Sequence, residues 1–202
     1  MKEKFLNKIK DPQLKRATIL AFRINGYKFS FLPSSITGKF HPKDEIGKGG
    51  LESHTEKVCW YVDKMADEFG YPDHTRDLLL VAAYFHDLGK VKDTTVALAI
   101  SYKGKKTERS VTVTRNIGGA DVHPIISSRM AREYMEIEGV PEEDIQIICG
   151  MVSKHMSHWY GTLPQPDSEL EKMLALADFL ASRRELTFEK ESLWQKFKLR
   201  KR

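Results

Sequence analysis

The chain has 202 residues, of which 41% are hydrophobic and 30% charged, and a formal net charge of +5. That is chain enough for one domain with a sizeable core, and an ordinary globular composition rather than a low-complexity one. The longest apolar run, residues 78–85, is too short to span a membrane, and residues 1–8 lack the apolar stretch of a signal peptide. Cys59 and Cys149 form no CxxC or zinc spacing and read as reduced core residues, so a cytoplasmic protein without a membrane partner is expected. The positive balance favours anionic partners weakly. Part of it is the tail from Lys196 to Arg202, either a solvated end or a nucleic-acid contact.

Residues 1–33 are expected to form a small N-terminal extension packing on the core. Asn25-Gly26 is a tight-turn signal between Ala17–Ile24 and the alternating Tyr27–Phe31, which predicts a hairpin. Residues 34–50 carry glycines, hydroxyls and cations without periodicity and read as a loop. Its amides, with Lys39 and His41, could hold phosphate oxygens, although a plain connector accounts for the composition equally well. It is not a P-loop, because Gly38-Lys39 lacks the upstream glycine and the following Ser or Thr.

A helix is predicted over residues 51–69, with Leu51, Val58, Val62, Met65 and Phe69 facing inward and His54 on the same stripe. After the break at residues 70–73, Leu78–Phe85 is apolar on every side and reads as a buried helix, ending in His86-Asp87-Leu88-Gly89-Lys90. An imidazole and a carboxylate at a buried helix end each need a partner. A helix cap with Gly89 as a left-handed stop would supply local ones, and a divalent metal would satisfy both at once. Between residues 94 and 116 the period changes to two around Lys103–Lys106, which predicts an inserted β-hairpin lying over the mouth of the site. Its Lys103, Lys105, Lys106, Arg109 and Arg115 could line a substrate path or form a solvated edge.

His123-Pro124 places His123 near the start of a helix that runs to Gly139. A further helix begins after Pro141, with Ile145, Ile148 and Val152 inward and His155 continuing that face. Ser168-Glu169-Leu170-Glu171 is a capping box opening the last predicted core helix. In it Asp178 lies on the buried face, where an unpaired carboxylate costs several kcal/mol or takes up a proton. His54, His86, Asp87, His123, His155 and Asp178 thus sit inward or at helix ends on five helices. Four of the chain's seven histidines are in this set. Imidazole and carboxylate converging without cysteine point to a catalytic metal site between facing helices rather than a structural zinc site.

The ordered series His54, His86-Asp87 and Asp178 resembles the HD superfamily of metal-dependent phosphohydrolases over roughly residues 34–183. His123 and His155 match the two extra histidines of its dinuclear, phosphodiesterase-like branch. The resemblance implies a mainly α fold, a helical bundle, to which the residue pattern adds the inserted hairpin and a small N-terminal β/loop segment. It divides the chain into the extension 1–33, a phosphohydrolase domain 34–185 and a basic tail 186–202. It further implies two divalent ions (Mn, Fe, Ni, Mg or Zn), Asp87 bridging both, and a bridging hydroxide attacking phosphorus, with Lys90 on the substrate phosphate. Asp87 and Lys90 are the catalytic candidates. Lys39, His41, Arg115, His158, Trp159 and Tyr160 are candidates for contacting a phosphorylated small molecule or a nucleic-acid end. His155-Met156 replaces the paired histidines of cyclic-di-GMP phosphodiesterases, and Trp159-Tyr160-Gly161 only partly matches their GYP sequence. A phosphodiester is the expected substrate. A mononuclear nucleotidase or triphosphate phosphohydrolase, and a non-catalytic nucleic-acid-binding module, are the alternatives.

Overall fold

A computed structural model of the chain describes residues 4–35, 41–103, 106–115, 122–157, 161 and 163–183. Among these the elements are α1 (Pro12–Phe29), α2 (Gly50–Glu68), α3 (Asp73–Phe85), α4 (Lys90–Asp93), β1 (Thr94–Lys103), β2 (Lys106–Arg115), α5 (Val122–Ile137), α6 (Glu142–Lys154) and α7 (Glu169–Ala181). The chain is mainly helical, as expected. No described helix is long and apolar enough to cross a membrane.

The bundle is built around α3. Every residue from Asp77 to Phe85 is buried, because α1, α2, α5, α6 and α7 all pack against this helix. A helix apolar on all sides has no face to give to water, and each fully buried Leu or Phe stabilises the fold by about 1.5–3 kcal/mol. The helix therefore points its C-terminal end, His86-Asp87, into the interior. Around it α5 pairs with α6, α2 with α7 and α6 with α7.

The N-terminal segment is helical, not a hairpin. Asp11 caps α1 by accepting from the backbone N–H groups of Gln13 and Leu14, and Pro12 occupies the first turn. Leu14, Ala17, Thr18, Ala21 and Phe22 then form a buried stripe at helical spacing. Asn25-Gly26 lies inside the helix. Its turn propensity is overridden because Asn25 Nδ2 donates both to Ala21 O (2.8 Å) and to Tyr134 Oη on α5 (2.7 Å). The segment is anchored by Asp77, a buried carboxylate on α3 that accepts from the Lys10 and Asp11 amides at 2.9 and 2.7 Å.

Other expectations need smaller adjustment. Phe69, predicted inward, is 61% exposed, because α2 ends at Glu68 and Phe69 is its C-cap. Gly139, at φ 70°, ends the turn after α5 in left-handed backbone. The hairpin spans the predicted residues, with β1 and β2 antiparallel from Thr94↔Arg115 to Lys103↔Lys106. Lys105 and the side chains of Lys103, Lys106, Arg109 and Arg115, expected along a substrate path, lie outside what is described.

The predicted capping box closes on α7. Ser168 Oγ accepts from the Glu171 N–H, and Glu171 Oε2 accepts from the Ser168 and Asp167 amides. Glu171 also takes Lys154 Nζ of α6 at 2.9 Å, so one carboxylate starts α7 and ties it to α6. Burial acts to raise its pKa, but Lys154 and the two amides outweigh it and hold it below the usual range. Glu171→Gln should therefore cost about 1–2 kcal/mol at neutral pH, the size of a lost cap and charged bond. A group with a lowered folded pKa contributes its stability above the ordinary carboxylate value near 4.3 and loses it below the folded one. Urea denaturation should accordingly show wild type and variant converging as the pH is lowered from 7 towards 3.

Candidate metal centre

The six polar residues of the sequence pattern converge. His54 comes from the second turn of α2, Asp178 from α7, and His123 from the first turn of α5. His86 and His155 occupy equivalent positions, as the C-caps of α3 and α6. Each donates its Nδ1–H to the carbonyl three residues earlier, Ala83 O and Val152 O, both at 2.7 Å. Those carbonyls are among the ones a helix end leaves without an intrahelical partner. The bond places a proton on Nδ1 and turns Nε2 of each ring to the interior. Both Nε2 atoms are buried and make no hydrogen bond among the described residues.

Asp87 stands at the centre, with its two oxygens facing different imidazoles. Oδ2 lies 3.4 Å from His86 Nε2 and 3.8 Å from His54 Nε2. Oδ1 lies 3.0 Å from His123 Nε2 and 3.8 Å from His155 Nε2. Asp178 Oδ1 joins the first side, 2.9 Å from His54 Nε2 and 3.9 Å from His86 Nε2. The imidazoles form a continuous row, with ring centroids 5.3 Å apart for His54–His86, 5.1 Å for His86–His155 and 5.3 Å for His155–His123.

Gly89 makes the second side possible. Its backbone is right-handed, at φ −59° and ψ −23°, so the left-handed helix stop considered from the sequence does not occur. What the position requires is the absence of a side chain. A Cβ there would lie 2.5 Å from His123 O and 2.6 Å from Ser127 N. The Gly89 amide instead donates to Ser127 Oγ at 2.8 Å, drawing the first turn of α5 against the His-Asp doublet.

The electrostatics follow from burial and neighbours. Burial acts to raise the pKa of Asp87, but Lys90 and the surrounding imidazoles outweigh it and hold the carboxyl well below the usual range. Asp178 is likewise held low against burial, mainly by His54. Burial acts to lower the pKa of His54, yet Glu45 and Asp178 on its two sides push it up to about 10. For His155, burial together with the neighbouring His86 and His123 outweighs the pull of Asp178 and Asp87 and takes it down to about 3. Asp87 and Asp178 are thus ionised and His155 is neutral, the protonation a metal requires of such groups, whereas His54 is protonated between Glu45 and Asp178 and would release its Nε2 proton to an ion.

Lys90, expected to face a substrate phosphate, turns its Nζ to Asp87 Oδ2 at 2.6 Å and to Ser34 O at 2.9 Å. His41 Nδ1 lies 2.7 Å from Glu45 Oε2 and 3.1 Å from Ser34 Oγ, beside the His54 ring. Lys39, His158, Trp159, Tyr160 and the Arg115 side chain lie outside the described residues. Sequence reasoning missed Glu45, Ser34, Lys57 and Ser127. Glu45 and Ser34 sit in a stretch without periodicity, and Lys57 and Ser127 look like ordinary helix polar residues. No local pattern marks any of the four.

These residues fit divalent ions. The donors are imidazole and carboxylate without thiolate, His86 Nε2 and His155 Nε2 have no hydrogen-bond partner among the described residues, and His54–His86–Asp87 and Asp87–His123–His155 each bring ligand atoms within 4.8 Å of one another. No curated protein and no solved structure matches the chain. The model of one family, the HD domain, matches residues 51–183, well over half of the 202 residues. The matched stretch runs from α2 through α7 and contains all six converging residues. The chain therefore belongs to the HD domain family, whose members are metal-dependent phosphohydrolases.

Proposed function

We propose that this protein hydrolyses a phosphodiester bond in a nucleotide or at a nucleic-acid end, with two divalent ions held by the six converging residues. His54, His86, Asp87 and Asp178 would hold one ion, and Asp87, His123 and His155 the other. The observation that carries this reading is the orientation of Asp87, each of whose oxygens faces its own pair of imidazoles. A mononuclear site needs no second pair of buried histidines on the far oxygen. When bound, such ions supply an acidified water near neutral pH and neutralise charge on phosphate oxygens.

The remaining chemistry belongs to the protein. The Ala83 and Val152 carbonyls hold the His86 and His155 rings in the tautomer that leaves Nε2 available. Lys90 keeps Asp87 ionised, and as an ammonium with three donors, two of them engaged, it can offer its third to a phosphate oxygen beside the carboxylate. The catalytic unit would be residues 34–185, with 1–33 packed on it and the basic tail 186–202 outside it. Lys39, Arg115, His158, Trp159 and Tyr160 remain the proposed contacts to the substrate beyond its phosphate.

Metal content and turnover of bis-p-nitrophenyl phosphate against p-nitrophenyl phosphate test the proposal. The expected result is about two ions per chain with the diester preferred. Monoester turnover with one ion would support the nucleotidase instead, and no turnover of either a binding module. Asp87→Asn should lose both ions and lower diester turnover by more than about a hundredfold, beyond what an outer-shell change produces.

Gly89→Ala separates the two sides of the site. The added methyl would force α5 and His123 away from the doublet, at a cost of about 1–3 kcal/mol for overpacking. The expected outcome in equilibrium dialysis against Mn²⁺ is a fall from two bound ions to one. Retention of both at unchanged affinity would contradict the geometry assigned to the second side.

A further inference from the structure

A histidine that binds a metal through one ring nitrogen needs a partner for the proton on the other. His86 and His155 find theirs in main-chain carbonyls at helix ends. His54 lies within α2, where backbone carbonyls are engaged by the helix itself, and it faces a side chain instead. Its Nδ1 is 3.2 Å from Glu45 Oε2, on the opposite side of the ring from Asp178 and Asp87.

Glu45 is held on every side. It ends the 3₁₀ turn Lys43–Glu45 and is fully buried. Oε1 accepts from Lys57 Nζ at 2.7 Å, while Oε2 is also 2.7 Å from His41 Nδ1. Its main chain is equally constrained. The Ser34 amide donates to Glu45 O at 2.9 Å, and Gly50 approaches so closely that a Cβ there would lie 2.1 Å from the same oxygen. Through Ser34, whose carbonyl takes Lys90, this turn also touches the other end of the site. A carboxylate without solvent exposure is expensive unless charge and hydrogen bonds compensate it, and Lys57 supplies the opposite charge here.

Resting on the two-metal reading above, we propose that Glu45 is the positioning residue of the first metal side. It holds His54 as the Nδ1–H tautomer and aims Nε2 at the space shared with Asp87, Asp178 and His86. Glu45 itself is not a ligand, because Lys57 occupies one oxygen and two imidazoles share the other. The ring of His54 also separates it from the proposed ions. The loop that composition left as either a phosphate cradle or a connector thus contributes the outer support of a metal ligand, with Lys57, Glu45, His54 and Asp178 in successive contact.

Two measurements test this. In ¹⁵N-histidine NMR of the Zn²⁺-loaded wild-type chain, His54 should keep a protonated, carboxylate-bonded Nδ1 and a metal-bound Nε2, an observation that needs no variant to fold. A metal-bound or proton-free Nδ1 overturns the proposal. In Mn²⁺ titrations Glu45→Gln, nearly isosteric, should still bind two ions, one of them 10–100-fold more weakly and the other unchanged. Equal affinity for both ions in wild type and variant overturns the positioning role and leaves the two-metal reading intact. Complete loss of one ion equivalent would make Glu45 a ligand, part of a His41–Glu45–His54 site, and also overturn it. A wild-type chain that binds no Mn²⁺ defeats the two-metal reading itself, and this inference with it.

Discussion

The architecture depends on one buried carboxylate. Asp87 is ionised in the interior of a helical bundle, where solvation of a charge is lost at a cost of several kcal/mol. Lys90 offsets part of this at 2.6 Å, and four imidazoles surround the rest. Each of those imidazoles must be delivered by a different helix, so the packing of α2, α3, α5 and α6 and the environment of Asp87 are one constraint. The buried stretch of α3, Asp77–Phe85, is the means. Having no polar face, it must be covered by neighbours on all sides, and the same neighbours carry the histidines to its end.

Helix termini do a second job in this fold. The carbonyls a helix cannot satisfy at its end become the acceptors that fix two imidazole tautomers, at His86 and at His155. Capping and metal binding, which look like rival explanations of a His at a helix end, are compatible here, because Nδ1 serves the carbonyl and Nε2 faces the interior. His54 has no such terminus within reach, and its Nδ1 lies 3.2 Å from Glu45 Oε2, at the end of the 3₁₀ turn, instead. The close approaches at Gly50 and Gly89 serve the same end, the first setting that turn against α2 and the second bringing α5 onto the doublet.

What sequence reasoning read correctly and what it missed divide along physical lines. The buried α3, the capping box of α7, the hairpin at 94–116 and the inward histidines all express patterns that local chemistry or periodicity writes directly into the chain. The N-terminal hairpin failed because Asn25-Gly26 has strong turn propensity, which a capped, striped helix packed on α5 overrides. Glu45 was invisible for a related reason. Its significance comes from His54, His41 and Lys57, none of them its neighbour in sequence, and a carboxylate in an aperiodic stretch carries no sign of burial.

The sequence by itself determined that several ionisable side chains must share one interior, because apolar stripes at helical spacing leave His54, His155 and Asp178 no other place to go. It also determined their order, and with it the family. Only the tertiary structure decided how they meet. Which oxygen of Asp87 faces which imidazole, which ring nitrogen each histidine presents, and that Gly89 serves close approach rather than a left-handed turn all depend on the relative placement of helices far apart in the chain. Those placements arise from side-chain packing and hydrogen bonds across α2, α3, α5, α6 and α7, and no local pattern encodes them.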